Sequence, residues 1–112
     1  MKRLLVRWSS AAARDLIEIV DYIRQDRIRQ DRPSAARKMG RAIVREVGLL
    51  AQNPSRGNVV PELRDQQISD YRQFVIAPYR VIYGVRADSV NVEAIIDSRR
   101  DLQNALLQRL LR

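Results

Sequence analysis

The sequence predicts one α+β domain: an antiparallel sheet of about four strands, an N-terminal helical hairpin and a C-terminal helix, in the order β-α-α-β-β-β-α. Three observations predict it. Apolar residues recur at helical spacing through the first half of the chain and again at its C-terminus. Between Tyr71 and Ile96 the period shortens to two, the spacing of strands half-buried on one face. The 112 residues carry no long Gly/Ser linker, low-complexity block or repeat, so residues 1–112 form a single domain able to bury one core without staples.

Leu4–Trp8 is a short strand, closed by Ser9 and Ser10, either of which can cap a helix. Ala12, Leu16, Ile19, Val20 and Ile23 then line one helical face, with Arg14, Glu18, Asp21 and Gln25 on the other. The pattern weakens over residues 26–32. Pro33 suits the first turn of a second helix, whose apolar stripe is Ala36, Met39, Ile43, Val47 and Leu50. Asn53-Pro54 stops it, because a residue before proline avoids the helical region. A short charged connection between the two helices makes an antiparallel hairpin.

Residues 55–69 are expected as loop, punctuated by Gly57 and Pro61. Next come three alternating segments, with turns at Ala77-Pro78 and Ala87-Asp88-Ser89. Arg72, Phe74 and Ile76 share a face of the first segment. Tyr79, Val81, Tyr83 and Val85 oppose Arg80, Ile82 and Arg86 in the second. Val90, Val92, Ala94 and Ile96 form one face of the third. Ser98 with Asp101 three residues on has the spacing of a capping box. The closing helix follows, with Leu102, Ala105, Leu106, Leu107, Leu110 and Leu111 as a wide apolar stripe. Leu107 and Leu111 are expected at its partly exposed edge. Helices on one sheet face, and a first strand paired with the meander, complete the expectation.

Composition narrows the chemistry. There are no cysteines, which excludes disulfides and thiolate metal sites. There are no histidines, which removes the commonest general base and metal ligand together. No cofactor or metal is expected. The N-terminal apolar run breaks at Arg7, too early for a signal peptide, and no stretch reaches the ~20 apolar residues of a membrane span, so a cytoplasmic protein is expected. The net charge is +8, and 19 of the 21 basic residues are arginine, whose planar fork suits carboxylates and phosphates. From Arg24 to Arg45 stand Arg24, Arg27, Arg29, Arg32, Arg37, Lys38, Arg41 and Arg45 against Asp26 and Asp31. Such a surface can meet nucleic acid, an acidic protein or only water.

Four motifs occur in order. They are Trp8, then Ala12 or Ala13, with Asp15-Leu16 and Asp21-Tyr22-Ile23; Asn53-Pro54, Gly57 and Pro61-Glu62-Leu63-Arg64; Tyr71-Arg72 with Tyr79-Arg80-Val81-Ile82-Tyr83; and Ser98-Arg99-Arg100-Asp101. In this order the chain resembles the ParE branch of the RelE/ParE toxins. The resemblance implies a toxin paired with an acidic ParD-like antitoxin in a hetero-oligomer, with DNA gyrase as its target. It places target contacts at Arg64, Tyr71, Arg72, Arg80, Arg99 and Arg100, and antitoxin contacts at Arg37, Arg41, Arg45, Leu106, Leu107 and Leu110. The alternative within the superfamily is a RelE-like messenger-RNA nuclease using Arg64, Arg72, Arg80 and Arg99. Against it, the closing helix lacks tyrosine, no lysine lies beyond Lys38, and Asp97 stands where nuclease relatives carry a basic residue or histidine. Cleavage needs a proton carrier, and arginine is none. Plain structural readings stand beside these. Trp8, Tyr71, Tyr79 and Tyr83 suit packing, and Arg64 and Arg72 can pair with Glu62 or Asp70.

Overall fold

The computed structural model describes residues 3–26 and 32–110. Their order is β1 (Leu5–Trp8), α1 (Ser10–Arg24), α2 (Arg32–Gly48), a 3-10 turn (Leu49–Ala51), β2 (Asn58–Val59), α3 (Pro61–Arg64), β3 (Tyr71–Ile76), β4 (Tyr79–Val85), β5 (Ser89–Asp97) and α4 (Leu102–Leu110). Leu111 and the Arg27, Arg29 and Asp31 positions of the charged connection lie outside the described residues. Among the described residues no helix is long and apolar enough to cross a membrane.

The predicted class and order hold, with three corrections. First, the sheet has five strands, in the order β1-β5-β4-β3-β2. The fifth is β2, whose two residues pair with Arg72 and Gln73 and are too few to show a period. Second, the sheet is mixed: β1 runs parallel to β5, with Leu5 beside Ser89 and Trp8 beside Val92. The connection from β1 back to the meander contains both hairpin helices, and a long crossover is what parallel neighbours require. Third, helices cover both faces. The hairpin packs over Phe74, Val81, Tyr83, Val90, Val92 and Ile95. α3 and α4 cover the other face, over Ile82, Ala94 and Ile96. β4 is therefore buried on both sides.

A bulge in β5 makes this possible. Tyr83 faces Val92 while Ile82 faces Ala94, which leaves Glu93 as an extra residue. One inserted residue reverses the alternation. Val90 and Val92 point to the hairpin, whereas Ala94 and Ile96 point to α4, correcting the single face expected for all four.

Past Trp8, β5 runs on with β4 on one side and no strand on the other, and groups of α1 and α4 cover that open edge. The Ser9 amide donates to the Val92 carbonyl at 3.0 Å, and the Ile95 amide donates to Asp15 Oδ2 at 2.9 Å. Arg109 of α4 donates to both Asp15 oxygens at 2.6 and 3.3 Å. Asp15 thus joins α1, β5 and α4 at one point. The helix caps follow ordinary chemistry. Ser9 Oγ accepts the Ala12 amide at 3.0 Å. At α4 the cap is Asp101, whose Oδ1 accepts the Asn104 amide at 3.4 Å, so the cap falls three residues after the expected Ser98.

Candidate functional site

Arg72 and Arg80, the two arginines among the predicted target contacts that lie on strands, sit on opposite faces of the sheet. Arg72 faces Tyr83 across β3 and β4, and Arg80 faces Val75 three pairs along, an odd step that puts it on the other face. Both are engaged internally. Arg80 is 10% exposed and grips Glu62 of α3 through two bonds, at 2.7 and 2.8 Å, and also donates to Gln73. The geometry is a bidentate fork on a carboxylate, the strongest ordinary ion-pair arrangement. Arg72 donates from Nε to the Gly57 carbonyl at 2.9 Å and from Nη2 to the Ser55 carbonyl at 3.3 Å. The Tyr83 hydroxyl completes that loop clamp, donating to the Pro54 carbonyl at 2.8 Å and accepting the Gly57 amide at 2.9 Å. Arg56 lies over the Phe74 ring, 4.3 Å from its centre. Arg72 and Arg80 are thus both bonded within the chain, Arg80 nearly buried and Arg72 half-buried.

The predicted target residues do not gather in one place. Arg64 is exposed at the end of α3, and Tyr71 is half-buried against the α4-side core. Arg99 and Arg100 instead border an open cleft of about 280 Å³ between α1 and the end of the sheet. Asp15, Glu18, Ile19 and Tyr22 line it from α1, and Tyr79, Ile95 and Asp97 from the strands. Register puts Tyr79 directly opposite Asp97. Arg99 folds back on Asp97 at 2.9 and 2.5 Å, and its own amide donates to the same carboxylate. Tyr22 is 69% exposed at the rim. The first family motif contains Tyr22 but assigns it no contact, although Tyr22 falls four residues after Glu18, an aromatic ring on the polar stripe of α1.

The predicted antitoxin residues also divide. Arg37, Arg41 and Arg45 are exposed on α2, on the hairpin side of the sheet. Leu106 is wholly buried in the opposite-face core and offers nothing to a partner, which corrects its assignment. Leu107 and Leu110 are only partly buried, at the edge of that same core. One partner touching both groups must wrap an edge of the sheet.

Against this geometry the comparisons with known proteins are decisive on family. The sequence matches the family described as ParE toxin of type II toxin-antitoxin system, parDE, over residues 6–102. The chain belongs to the ParE toxin family. A solved structure titled "Chromosomal ParDE TA system from P. aeruginosa" is similar, with a TM-score of 0.68 at 21% identity, covering 87% of this chain and 98% of that one. At that identity the likeness shows a shared fold. A comparison with curated protein sequences gives no match.

In this ParE-family chain Asp97, Arg99 and Tyr79 set one another's charge at the cleft. The Arg99 hydrogen bonds, from side chain and backbone, hold Asp97 at about 2, and the same contact raises the Arg99 guanidinium. Burial, reinforced by Asp97, pushes the Tyr79 phenol above its ordinary value. On the other face Arg80 lowers Glu62. At neutral pH Asp97 is therefore an ionised carboxylate paired with Arg99, and Tyr79 beside it is a protonated phenol.

Acid should expose these carboxylates. Both are more acidic folded than unfolded, so the unfolded chain binds more protons and stability falls as pH drops. Stability should be level from pH 7 to about 5 and then decline towards pH 2, with Asp97→Asn reducing the decline. A carboxylate NMR titration should place the Asp97 midpoint near 2. A midpoint near 4 would show that the Arg99 contact does not hold in solution.

Proposed function

We propose that this ParE-family toxin acts by binding DNA gyrase, and that an acidic ParD-like antitoxin neutralises it in a hetero-oligomer. The observation that carries the binding mode is the separation of Arg72 and Arg80. Phosphodiester cleavage needs cations and proton carriers converging on one phosphate. Here Arg72 holds loop carbonyls on one face of the sheet while Arg80 holds Glu62 on the other. The cleft groups favour the same reading, because Asp97 stays ionised and Tyr79 stays protonated at neutral pH. They suit recognition better than proton transfer.

In this reading Arg99, Arg100 and Tyr22 contact the target around the cleft, with the buried Tyr79 beneath them and Arg64 on a separate side. Arginine and tyrosine are the side chains that most often carry binding energy at interfaces. The antitoxin finds its apolar footing at Leu107 and Leu110, and the chain's net positive charge, to which Arg37, Arg41 and Arg45 contribute at long range, steers its acidic segment in.

The test is gyrase supercoiling with purified protein. The toxin in excess should block supercoiling, and cognate antitoxin should restore it. Arg99→Glu with Arg100→Glu should raise the concentration for half-inhibition at least about tenfold, a loss of about 1.4 kcal/mol or more. Unimpaired supercoiling at large excess would sink the gyrase assignment. Codon-specific cutting in a translation extract, lost in the same variant, would replace it with a nuclease.

A further inference from the structure

We infer that the exposed face of α2 is a docking surface for the phosphate backbone of duplex DNA, separate from the Tyr22–Arg99 cleft. Arg37, Arg41 and Arg45 recur every fourth residue, so they form a row about 12 Å long at 1.5 Å rise per residue. Lys38 lies beside it. Together with Ser34 and Ala42 these four cations line a concavity of about 390 Å³. None of the four enters an ion pair among the described residues. Glu46, the helix's carboxylate, is held by Arg56 at 3.2 Å and does not neutralise the row.

The choice between an acidic protein and a nucleic acid rests on what accompanies the charge. Exposed ion pairs between proteins contribute only about 0–1 kcal/mol each, so a protein partner needs apolar anchors as well. The large apolar side chain exposed on α2 is Val44, at 52% exposure. One valine at the flank is a poor anchor. A nucleic acid needs none, because neutralising phosphates releases condensed counterions, and charge alone supplies the affinity. Duplex is favoured over single strand for a second reason. Single-strand sites stack bases on aromatic rings, and the residues lining this concavity include no aromatic. About seven phosphates lie along 12 Å of duplex axis, ample for four cations on a straight helix.

The measurement is fluorescence anisotropy of the full chain with a random-sequence 20-base-pair duplex, a single-stranded oligonucleotide of equal length, and a poly-glutamate peptide. Four phosphate contacts predict a slope of log affinity against log salt of about −3.6, a loss of roughly 150-fold between 50 and 200 mM. Arg37→Gln, Arg41→Gln and Arg45→Gln together should lower that slope by about 2.7. Gln matches Arg in helix preference, so circular dichroism and thermal melting should be unchanged. Arg7→Gln with Arg86→Gln, on exposed positions elsewhere, should leave the change in slope caused by the α2 substitutions intact. An α2 variant with the native slope overturns the inference. So does tighter binding of the single strand, or of poly-glutamate, at matched salt. Because supercoiling inhibition is read separately and depends on Arg99 and Arg100, the two proposals fail independently.

Discussion

Replacing Glu62 by Ala should cost about 3–5 kcal/mol and lower the melting temperature by about 10–20 °C. The substitution removes little packing from a partly exposed side chain. Its effect lies in what it leaves behind. Arg80 would keep its charge while 90% buried, with Gln73 as its remaining side-chain partner. Its Nε already lacks a partner among the described residues. A buried ion pair is often no better than an apolar pair of similar size, yet breaking it from one side is severe, because the surviving charge has lost its compensation. Replacing both residues, as Glu62→Leu with Arg80→Met, should recover most of the loss. Thermal melts of the two single variants and the double variant give the coupling directly. If Glu62→Ala melts within 3 °C of the parent, the pair does not hold α3 on the sheet.

That pair also marks where sequence reasoning reaches its limit. Arg80 stands out in the sequence as a cation facing away from Tyr79, Val81 and Tyr83, which suggests a free face. The inference assumes that one sheet face meets solvent. α3 removes that condition, and α3 is four residues long, too short to announce itself by periodicity in a stretch read as loop. Its Pro61 start and Glu62 were visible, but only tertiary contact tells that Glu62 turns inward. The long elements were legible because each buries a regular stripe: Ala36, Ile43 and Val47 on α2, and Val81 and Tyr83 on β4. The bulge at Glu93 was not legible. Val90, Val92, Ala94 and Ile96 keep an uninterrupted alternation in the sequence, and pairing with β4 alone reveals the extra residue. The cleft shows the same division. Arg99, Arg100 and Tyr22 all lie in motifs, but that Tyr22 meets the arginines shows only once α1 passes the end of the sheet.

Gly57→Ala should be destabilising by about 3 kcal/mol, whereas Gly48→Ala should be neutral or stabilising by up to about 1 kcal/mol. Gly48 ends α2 with nothing within 4 Å of where a methyl group would sit. There, alanine gains helix preference without a clash. Gly57 has no such room. A methyl group built on it would lie 2.3 Å from the Gln73 carbonyl oxygen and 2.9 Å from the Tyr83 hydroxyl. The carbonyl belongs to the backbone of β3, so relief requires the strand or the loop to move. Moving the loop breaks the Gly57 amide bond to Tyr83, the Tyr83 bond to Pro54 and the Arg72 bonds to Gly57 and Ser55 together. Net hydrogen bonds contribute about 1 kcal/mol each, and buried groups left unpaired cost more. Tyr83→Phe separates the two causes, because it removes the hydroxyl without adding bulk, at about 1–3 kcal/mol. Gly57→Ala in the Tyr83→Phe background should then cost less than it does alone, since part of the clamp is already gone. Denaturant melts of the four chains decide it. Additive losses would mean that the methyl group collides with β3 without disturbing the clamp, and Gly57→Ala as mild as Gly48→Ala would mean that loop and strand do not approach this closely.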